Sequence, residues 1–549
     1  MILDPNLPQW RIDEANAGGF WPNRLLTDDL DDACATMPDK VAVTDINSMT
    51  GGRTTLSYRQ LRRLVDRIAL GLVELGVERN DVVSYQLPNW WEFVALHLAS
   101  VRIGAVTNPL MPIFRERELG FMLGLAESKV MVVPREFRGH RYPEMMAGLR
   151  SGLPALRHVL VIGGEGESGF AERLLIPRRE EGPQAAAIFA ARRPAPNDVT
   201  QLLYTSGTTG EPKGAMHSSN TLQGNITAFA RFLGLSARDT ILMASPMAHQ
   251  TGFMYGMVMS VMLKAKLVLQ DVWTAAEAAE RITDEGVTFT MASTPFLADL
   301  TDCAELDRHD ISSLRVFLSA GAPIPPTLVR RAHERLGAKI VSAWGMTENG
   351  IQTATRPDDP PERACETDGT ALPGLGLRVI DEAGNEQPPG VEGHLQTRGF
   401  CNFLGYLKRP HLSGTDQAGW FGTGDIARRD PQGYIRISGR SKDIIIRGGE
   451  NVPVVEIESL LYRHPAVQDA AIVAMPDERL GERGCAFVVV RPGASFGFEE
   501  MVRFCEEAKM ARQYWPERLE IIESMPRTPT GKIQKFRLRD TAKAFSAKP

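Results

Sequence analysis

Residues 204–214 read Tyr204-Thr-Ser-Gly-Thr-Thr-Gly-Glu-Pro-Lys-Gly214, and this stretch decides how the rest of the chain is interpreted. Its serine and threonines offer hydroxyl donors, its glycines let backbone N–H groups approach closely, and Lys213 adds a positive charge. This composition suits a flexible loop that closes over a polyphosphate. The spacing is not that of a Walker A loop, which needs four residues between its glycines and then Gly-Lys-Ser/Thr. For a loop of this composition alone, a plain surface turn is the alternative.

The residues around this loop predict alternating strands and helices. Residues 198–204 have the composition of a buried strand that feeds the loop, and residues 214–220 lead into a helical pattern. Upstream, a helix that opens at residues 56–61 should end near Gly76, followed by a strand at 81–87 and a helix at 90–99. This alternation predicts an α/β sheet with helices on its faces.

The complete eleven-residue string resembles the phosphate loop of the adenylate-forming superfamily, which includes acyl-CoA synthetases, firefly luciferase and the adenylation domains of peptide synthetases. The resemblance implies an α/β fold class: a large N-terminal domain of two α/β subdomains plus a small β-rich subdomain, and a smaller, mobile α+β C-terminal domain. It also implies ATP, Mg2+ and coenzyme A as cofactors. The loop residues that it assigns to ATP are Thr205, Ser206, Gly207, Thr208, Thr209, Gly210 and Lys213.

Two further segments follow in the family's order. Leu318-Ser-Ala-Gly-Ala-Pro323 resembles the strand-to-turn segment that lies along the adenine, which implies nucleotide contacts at Gly321, Ala322 and Pro323. Small residues there let a flat base approach the backbone.

Ala343-Trp-Gly-Met-Thr-Glu348 resembles the family's aromatic-Gly-x-Thr-Glu motif. The resemblance implies that Trp344 packs on the adenine beside Gly345, that Thr347 contacts the α-phosphate and that Glu348 holds Mg2+. A hard divalent cation on phosphates prefers an oxygen ligand of this kind. The family's usual aromatic is tyrosine, so Trp344 keeps the stacking face and loses the phenolic hydroxyl.

Three segments near the C-terminal end complete the resemblance. Gly419-Trp-Phe-Gly-Thr-Gly-Asp425 implies that Asp425 binds both ribose hydroxyls, and Gly439-Arg-Ser-Lys-Asp443 supplies Arg440 near the same ribose. Pro526-Arg-Thr-Pro-Thr-Gly-Lys532 resembles the Pro-x-x-x-x-Gly-Lys signature of the catalytic lysine. Two prolines and a glycine restrict this loop and so hold Lys532 in place.

The resemblance also implies two half-reactions with a rotation between them. The carboxylate first attacks the α-phosphorus of ATP, with Lys532 and Thr347 stabilising the charge. The C-terminal domain then turns about Lys442 and brings Arg447-Gly-Gly-Glu450 to the site, where Gly448 and Gly449 let a pantetheine arm pass. A simple hairpin turn is the alternative for residues 447–451.

The acyl pocket is predicted around Ser245-Pro-Met-Ala-His-Gln-Thr-Gly252, a segment similar to the family's pocket border. His249 is a candidate to gate this pocket or to bond near the carboxylate, with a structural histidine as the alternative. Apolar and small residues predict a modest apolar cavity for a short- to medium-chain or alicyclic monocarboxylate; plain core packing is the alternative for the methionines. Residues 247–253 and Thr294-Pro-Phe-Leu-Ala-Asp299 resemble the cyclohexanecarboxylate and short-chain fatty acid ligase branch of the family. This resemblance implies cyclohexane-1-carboxylate as the first candidate and short- or medium-chain fatty acids as the second. The predicted pocket residues are His249, Gln250, Phe253, Met254, Ala320, Gly345 and Gly350.

Length and composition agree with a soluble enzyme. At 549 residues the chain exceeds one hydrophobic core, and its net charge of −5 disfavours a nucleic-acid binder. The best apolar run, 255–269, is broken by Lys264 and Lys266, so no transmembrane segment is predicted. Six cysteines without Cys-x-x-Cys spacing and no signal-peptide pattern favour a reduced, cytoplasmic protein without structural zinc.

Composition shifts predict the domain boundaries. Residues 163–169 and 177–197, rich in glycine, proline, arginine and glutamate, suggest a break between two subdomains, and residues 377–438 read as a β-rich subdomain. The predicted division is 1–438 for the N-terminal adenylation domain, 439–443 for the hinge and 444–549 for the mobile C-terminal domain.

The partners expected are a small carboxylic acid, ATP and coenzyme A. Acetylation and deacetylation enzymes acting on Lys532, and a second copy of the chain in a homodimer, are compatible with the resemblance. Two rival functions remain open: an adenylating enzyme that loads an acyl-carrier protein, and a catalytically silent nucleotide-binding module.

Overall fold

The computed structural model describes residues 3–205, 212–321, 324–440, 445–447, 450–477, 480–508, 510, 512–528 and 531–547. Four principal sheets organise these residues, three before residue 441 and one after residue 444. The strands in chain order are β1 Val41–Ile46, β2 Arg53–Ser57, β3 Val82–Tyr85, β4 Val106–Pro109, β5 Val130–Pro134, β6 Glu136–Phe137, β7 His140–Arg141, β8 His158–Ile162, β9 Val199–Thr205, β10 Lys213–Ser218, β11 Thr240–Met243, β12 Lys266–Gln270, β13 Phe289–Ala292, β14 Val316–Ala320, β15 Lys339–Met346, β16 Gly350–Ala354, β17 Thr370–Ala371, β18 Gly376–Ile380, β19 Gly393–Arg398, β20 Phe421–Arg429, β21 Ile435–Arg440, β22 Ile445–Arg447, β23 Glu450–Val452, β24 Val467–Asp477, β25 Gly481–Val490 and β26 Arg518–Ile521.

Helices cover the faces of these sheets. One helical stretch has a π-helical middle: Phe253–Val258 joins α9, Gln250–Gly252, to α10, Met259–Leu263. The helices in chain order are α1 Gln9–Ala17, α2 Leu26–Thr36, α3 Tyr58–Glu74, α4 Trp91–Arg102, α5 Glu116–Leu125, α6 Tyr142–Leu149, α7 Ala185–Arg192, α8 Ser219–Leu233, α9 Gln250–Gly252, α10 Met259–Leu263, α11 Ala275–Glu285, α12 Thr294–Thr301, α13 Pro326–Leu336, α14 Arg363–Glu366, α15 Val454–Leu461, α16 Phe498–Glu507 and α17 Lys535–Lys543.

Two large sheets and one small sheet form the body of the molecule before residue 441. The nine-stranded sheet has the order β17-β16-β15-β14-β13-β11-β12-β1-β2, and its centre from β15 to β1 is parallel. The six-stranded sheet has the order β10-β9-β4-β3-β5-β8, and the four-stranded sheet runs β18-β19-β20-β21. The largest apolar cluster takes residues from both large sheets and from α3, α4 and α8, so the two sheets share one core.

Helix α3 shows how the local sequence forms these elements. The Ser57 hydroxyl accepts a hydrogen bond from the Gln60 N–H at 3.3 Å, and the Gln60 side chain accepts one from the Ser57 N–H at 2.8 Å. This reciprocal capping satisfies two N–H groups that the first helical turn leaves unpaired. The helix ends before Gly76, which has a φ of +78°. The predicted end of this helix is therefore confirmed.

The subdomain break expected at 163–169 and 177–197 does not separate the two large sheets. Strands β1 and β2 come before that segment but join β12 in the nine-stranded sheet, whereas β9 and β10 come after it and join β4 in the six-stranded sheet. The expectation is wrong because a composition shift marks a surface connection and carries no information about which strands pair across the chain.

The residues after 444 form a sheet of the order β23-β22-β25-β24, with β26 alongside β25. It has its own apolar clusters, on which α15, α16 and α17 contribute buried residues. The mixed α/β class with a large N-terminal and a smaller C-terminal domain is confirmed. The exact boundaries at 438 and 444 stay a prediction, and Lys442 lies outside the described residues. Within the part of the chain that the structure describes, no helix is both long and apolar enough to cross a membrane.

Candidate active site

The candidate site lies where β14 and β15 end. These parallel neighbours are in register with Ala320 opposite Ala343, so the residues that follow them meet at one edge of the sheet. Gly321 continues from β14 with a φ of +92°, a conformation that favours glycine. Crevices at the carboxyl ends of parallel strands are where α/β folds bind ligands.

Glu348 lies in this crevice and is 5% exposed. Its Oε1 accepts a hydrogen bond from the Tyr406 hydroxyl at 2.6 Å, and its backbone carbonyl accepts one from the Phe403 N–H at 2.6 Å. Burial and the charge of Glu348 raise the pKa of Tyr406, so the phenol keeps the proton that it donates. Lys213 Nζ lies 4.9 Å from the centroid of the Tyr406 ring, and therefore the lysine of the glycine-rich loop and Glu348 flank the same tyrosine.

Two buried side chains hold the backbone of Thr347. His217 Nε2 donates to the Thr347 carbonyl at 2.8 Å, and Gln250 Nε2 donates to it at 3.4 Å. Burial lowers the pKa of His217 to about 4, so this histidine is neutral. Because a carbonyl only accepts, its proton is on Nε2. The main chain next to Glu348 is thus anchored independently of the glutamate side chain.

Asp425 is 2% exposed and is anchored on both carboxylate oxygens. Arg440 Nε lies 2.7 Å from Oδ1, because Asp425 and Arg440 are directly opposite in the antiparallel pair β20–β21. Trp344 Nε1 donates to Oδ2 at 3.0 Å. The structure therefore brings together Trp344, Asp425 and Arg440 as the sequence predicted, and adds a direct bond between the first two.

Lys532 reaches this crevice from the C-terminal domain. A methyl group placed on the Cα of Gly321 would lie 3.0 Å from Lys532 Cε and 3.8 Å from its Nζ, so the lysine side chain runs beside Gly321. The surrounding protein and the positive charge of Arg440 lower the pKa of Lys532, while Asp425 and Glu348 oppose that shift. Three of the charged groups predicted for the site, Arg440, Asp425 and Glu348, therefore influence the pKa of this lysine.

The loop that carries Lys532 is closed by its own hydrogen bonds. The Thr528 N–H donates to the Lys532 carbonyl at 2.7 Å, and the Lys532 N–H donates to the Thr528 hydroxyl at 3.0 Å. Arg527 donates to the Gly531 carbonyl and to Asp469, which ties the loop to β24. Gly531 has a φ of +83°, and a Cβ there would lie 2.8 Å from Ser293 Oγ. The described residues of this motif are therefore bonded to one another and to β24, and Gly531 lies against Ser293 of the N-terminal domain.

His249 precedes α9, and its Nδ1 accepts a hydrogen bond from the Thr251 N–H at 3.3 Å. Burial and, secondarily, the charge of Lys532 lower the pKa of His249 to about 3. The imidazole is therefore neutral and carries its proton on Nε2. This state suits donation of a hydrogen bond and makes His249 a weak base.

The predicted acyl pocket is in part filled by core side chains. Phe253 and Met254 are 0% and 1% exposed, and the Phe253 ring packs edge-on against His97 with centroids 4.7 Å apart. The space expected beside Gly350 is closed, since a Cβ there would lie 2.8 Å from Asn225 and 3.0 Å from the Tyr255 hydroxyl. Asn225 and Tyr255 are therefore further residues of this wall, and the pocket assignment of Phe253, Met254 and Gly350 stays a prediction.

Glu348 is the residue predicted to hold a magnesium ion. Among the described residues, no three His, Cys, Asp or Glu side chains form a cluster that would hold a metal. Mg2+ is commonly bound by one or two carboxylates together with substrate phosphates. The single buried carboxylate of Glu348 fits an ion that arrives with ATP and does not fit an all-protein cage.

Comparison with known proteins identifies the family. A model of the AMP-binding enzyme family matches residues 30–407, and a model of the AMP-binding enzyme C-terminal domain matches residues 456–532. This chain belongs to the AMP-binding enzyme family. The membership predicted from the phosphate loop and the motifs after it, that of an acyl-CoA synthetase of the adenylate-forming superfamily, is confirmed.

Relatives of this AMP-binding enzyme cover it almost end to end. It is 36% identical over 524 residues to the medium-chain fatty-acid–CoA ligase of Escherichia coli (strain K12). This match covers 95% of this chain and 91% of that protein. It is 33% identical over 526 residues to the 2,3-dihydroxybenzoate-AMP ligase of Bacillus subtilis (strain 168), covering 95% and 94%. The protein is an enzyme of the acid–thiol ligase class.

Solved structures of the same shape include enzymes with nucleotide bound. The anthranilate CoA ligase AuaEII in complex with anthranoyl-AMP superposes with a TM-score of 0.84 at 26% identity, covering 96% of this chain and 98% of that one. ATP-bound MatB from Rhodopseudomonas palustris superposes with a TM-score of 0.82 at 26% identity, covering 95% and 99%.

Several predicted site residues of this AMP-binding enzyme lie outside the described residues. They are Ser206, Gly207, Thr208, Thr209 and Gly210 of the phosphate loop, Ala322 and Pro323 beside the adenine, Lys442 at the hinge, and Gly448 and Gly449 of the pantetheine passage. Thr205 ends β9, directly before the undescribed loop residues.

Sequence reasoning missed the residues whose side chains hydrogen-bond to the predicted site residues and hold them in place. Tyr406 bonds Glu348 from 58 positions away, and His217 bonds Thr347 from 130 positions away. Arg527 lies inside the predicted lysine loop, but its link to Asp469 was not expected. A tyrosine among apolar residues has the pattern of core, and therefore no local signal would have identified Tyr406.

Proposed function

We propose that this protein is an ATP-dependent ligase that converts a small apolar monocarboxylate to its coenzyme A thioester through an acyl-adenylate, with cyclohexane-1-carboxylate as the first candidate. The observation that carries the proposal is the position of Lys532. A lysine from the C-terminal domain lies beside Gly321 in the crevice that also holds Glu348 and Asp425.

In the first half-reaction a carboxylate oxygen of the acid bonds to the α-phosphorus of ATP, and the bond to the bridging oxygen of pyrophosphate breaks. Negative charge develops on the phosphoryl oxygens, and a cation fixed before the reaction stabilises it without reorganisation. Lys532 is fixed in this sense, since its loop is closed by Thr528 and Arg527. The neutral His249 is suited to donate its Nε2 proton toward an oxygen of the acid.

Glu348 would hold the Mg2+ ion that accompanies ATP, and this ion supplies charge neutralisation at the phosphates. Glu348 itself is oriented by the Tyr406 hydroxyl and by the backbone of Phe403. Asp425 and Arg440 are proposed to bind the ribose, and Trp344 the adenine. These assignments agree with the contacts that bring Trp344 of β15 and Arg440 of β21 onto the Asp425 carboxylate of β20.

In the second half-reaction the thiol of coenzyme A loses its proton, its sulfur bonds to the acyl carbon, and AMP leaves. We propose that the C-terminal domain turns about Lys442 between the halves, so that Lys532 leaves the crevice and residues 447–450 enter it. The arrangement with Lys532 beside Gly321 is the one that serves adenylation.

An apolar substrate is supported by the residues around the predicted pocket. Phe253, Met254 and Tyr255 are all buried, and the polar groups of Asn225 and Tyr255 satisfy each other at 2.6 Å. Each methylene that an acid buries contributes about 0.8 kcal/mol to binding.

A medium-chain fatty acid is the second candidate, because the Escherichia coli relative at 36% identity is a medium-chain fatty-acid–CoA ligase. Transfer to an acyl-carrier protein in place of coenzyme A is a further alternative for the second half-reaction.

The test is exchange of labelled pyrophosphate into ATP with a panel of acids, followed by thioester formation with free coenzyme A. The panel contains cyclohexanecarboxylate, benzoate, salicylate, and straight-chain acids of increasing length. We expect acid-dependent exchange, AMP release on adding coenzyme A, and the highest kcat/KM for cyclohexanecarboxylate.

Different outcomes test the proposed acid, the proposed acceptor and the ligase function itself. A preference for octanoate would replace the ring acid by the second candidate. Exchange without thioester formation would indicate a carrier protein as the acceptor. Absence of exchange with every acid would reject the ligase function.

A further inference from the structure

Trp344 stands where the family's usual aromatic is tyrosine, and its indole has a bonded partner. Its Nε1 donates to Asp425 Oδ2 at 3.0 Å across 81 positions of the chain. Trp344 lies on β15 of the nine-stranded sheet and Asp425 on β20 of the four-stranded sheet. This one hydrogen bond therefore connects the two sheets at the crevice.

The bond and base stacking are geometrically compatible. An indole N–H lies in the plane of the ring, so donating it leaves the faces of the ring unobstructed. The Trp344 side chain also packs against the apolar cluster of the four-stranded sheet, which includes Val379, Leu395 and Ala427. Contact with that cluster holds the ring on the side of Asp425.

The acceptor capacity of Asp425 determines what else it can bind. An ionised carboxylate has about four lone-pair sites. Among the described residues, two donors reach it: Arg440 Nε at 2.7 Å on Oδ1 and Trp344 Nε1 at 3.0 Å on Oδ2. The two anchors lie on different oxygens, so both the rotation and the tilt of the carboxylate are restrained. About two lone-pair sites remain, one on each oxygen.

We propose that Trp344 is a positioning residue that fixes the Asp425 carboxylate so that its two remaining acceptor sites receive the 2′- and 3′-hydroxyls of the ATP ribose. This inference rests on the proposed function. It gives the tryptophan a role that a ring without an in-plane N–H does not reproduce. The role is selectivity for a ribonucleotide, in addition to contact with the base.

The test compares ATP with 2′-deoxy-ATP and 3′-deoxy-ATP in acid-dependent pyrophosphate exchange. For the native enzyme we expect kcat/KM to favour ATP over each deoxy analogue. In Trp344→Phe, kcat/KM for ATP should fall about tenfold, the size expected for a hydrogen bond to a charged group. The preference for ATP over the deoxy analogues should narrow by a similar factor, because the loosened carboxylate gains less from each hydroxyl.

Two further variants separate positioning from packing. Leu377→Ala removes a side chain that packs on the same apolar cluster from β18, a strand that is not paired with the Asp425 strand β20. It should lower the thermal stability and leave the ATP-to-deoxy ratio unchanged. In an Asp425→Asn background, Trp344→Phe should produce no further change in the ratio, since both changes act through the same carboxylate.

A native enzyme that uses ATP and the deoxy analogues equally would overturn both the ribose role of Asp425 and this inference. A discriminating native enzyme whose ratio is unchanged in Trp344→Phe would overturn the inference alone. If Trp344→Phe does not fold, the same ratio is measured for Trp344→Leu, which also lacks a donor to Asp425, and an unchanged ratio there has the same meaning.

Discussion

Lys532 illustrates how much of a residue's role depends on its surroundings. Several lysines lie near the C-terminal end, and Lys535, three positions away, forms an ion pair with Glu458 at 2.6 Å within the C-terminal domain. Lys532 instead runs beside Gly321 of the N-terminal domain. The two side chains are chemically identical. Their surroundings make Lys535 a structural residue and Lys532 a candidate catalytic residue.

Lys532→Ala should reduce the first half-reaction by about 10² to 10³, the usual cost of losing one fixed donor at a developing charge. Thioester formation from preformed acyl-adenylate should be retained, because the lysine is proposed to have left the crevice by then. Pyrophosphate exchange and single-turnover thioester formation measure the two halves. Lys535→Ala is the matched control and should change neither rate by more than about twofold. Equal loss of both halves in Lys532→Ala would contradict the two-arrangement mechanism.

Tyr406 is a residue whose role the sequence did not predict and the structure adds. Removing its hydroxyl in Tyr406→Phe leaves Glu348 Oε1 without its 2.6 Å donor. We expect the Mg2+ concentration for half-maximal exchange to rise about tenfold, the lower end of the range for residues that orient a metal ligand. The measurement is exchange rate against free Mg2+ at fixed ATP.

The control for Tyr406→Phe is Tyr434→Phe. The native Tyr434 hydroxyl donates to Asp359 at 2.5 Å, so this variant also loses a hydroxyl bonded to a carboxylate. Its Mg2+ dependence should match that of the native enzyme. If Tyr406→Phe also keeps the native Mg2+ dependence, then Glu348 is oriented by the backbone alone.

At the scale of the element, the lysine loop shows why a short motif needs its spacing. Thr528 and Lys532 exchange hydrogen bonds, and Arg527 donates to the Gly531 carbonyl, so the described residues on the two sides of the motif are joined. Gly531 has a φ of +83°, and its lack of a side chain lets it lie close to Ser293. The motif therefore encodes a shape that presents the lysine.

Gly531→Ala should slow adenylation at least tenfold, because the new Cβ would lie 2.8 Å from Ser293 Oγ on a backbone with a φ of +83°. Thioester formation from acyl-adenylate should change less, since that contact belongs to the arrangement with Lys532 in the crevice. Gly497→Ala in the same domain is the control, since a Cβ there meets nothing within 4 Å. Parallel losses in both half-reactions would indicate that the alanine disturbs the whole domain instead of the docked loop.

At the scale of the whole molecule, the shared core of the two large sheets contains neutral histidines. His97 on α4 is 2% exposed, its Nδ1 lies 3.0 Å from the Thr107 hydroxyl, and its ring packs against Phe253. Burial lowers the pKa of His97 to about 3. At pH values between about 6.5, the ordinary pKa of histidine, and about 3, the unfolded chain binds a proton at His97 that the folded protein does not bind.

Stability should therefore fall as the pH falls through this window, with a contribution from His97 of about 1.4 kcal/mol per pH unit. His97→Gln keeps a donor for Thr107 and cannot be protonated, so its free energy of unfolding should decline less steeply between pH 6.5 and 4. Urea unfolding at several pH values measures the slope. His333→Gln, at an exposed position on α13, should keep the native slope. An identical decline in His97→Gln would show that this histidine does not contribute to acid sensitivity.

The alternation of strands and helices, the end of α3 and the order of the motifs were predictable from sequence, since each depends on residues close together in the chain. A capping serine, a glycine with positive φ and a run of apolar residues have local physical consequences. The division of the first 440 residues into sheets was not predictable in this way. Strand β1 pairs with β12, more than two hundred positions away, and the pattern of a buried strand does not specify its neighbour.

The candidate site also combines features that nearby residues predict with contacts between distant segments. The resemblance of short motifs to those of the adenylate-forming superfamily predicted Glu348, Asp425, Arg440 and Lys532, because each motif is a string of neighbouring residues that can be recognised in the sequence. Folding alone brought Trp344 onto Asp425 and Tyr406 onto Glu348, and it closed the space at Gly350 with Asn225. Those contacts join distant segments, and their energies depend on distance and orientation in space, which a linear order of residues does not contain.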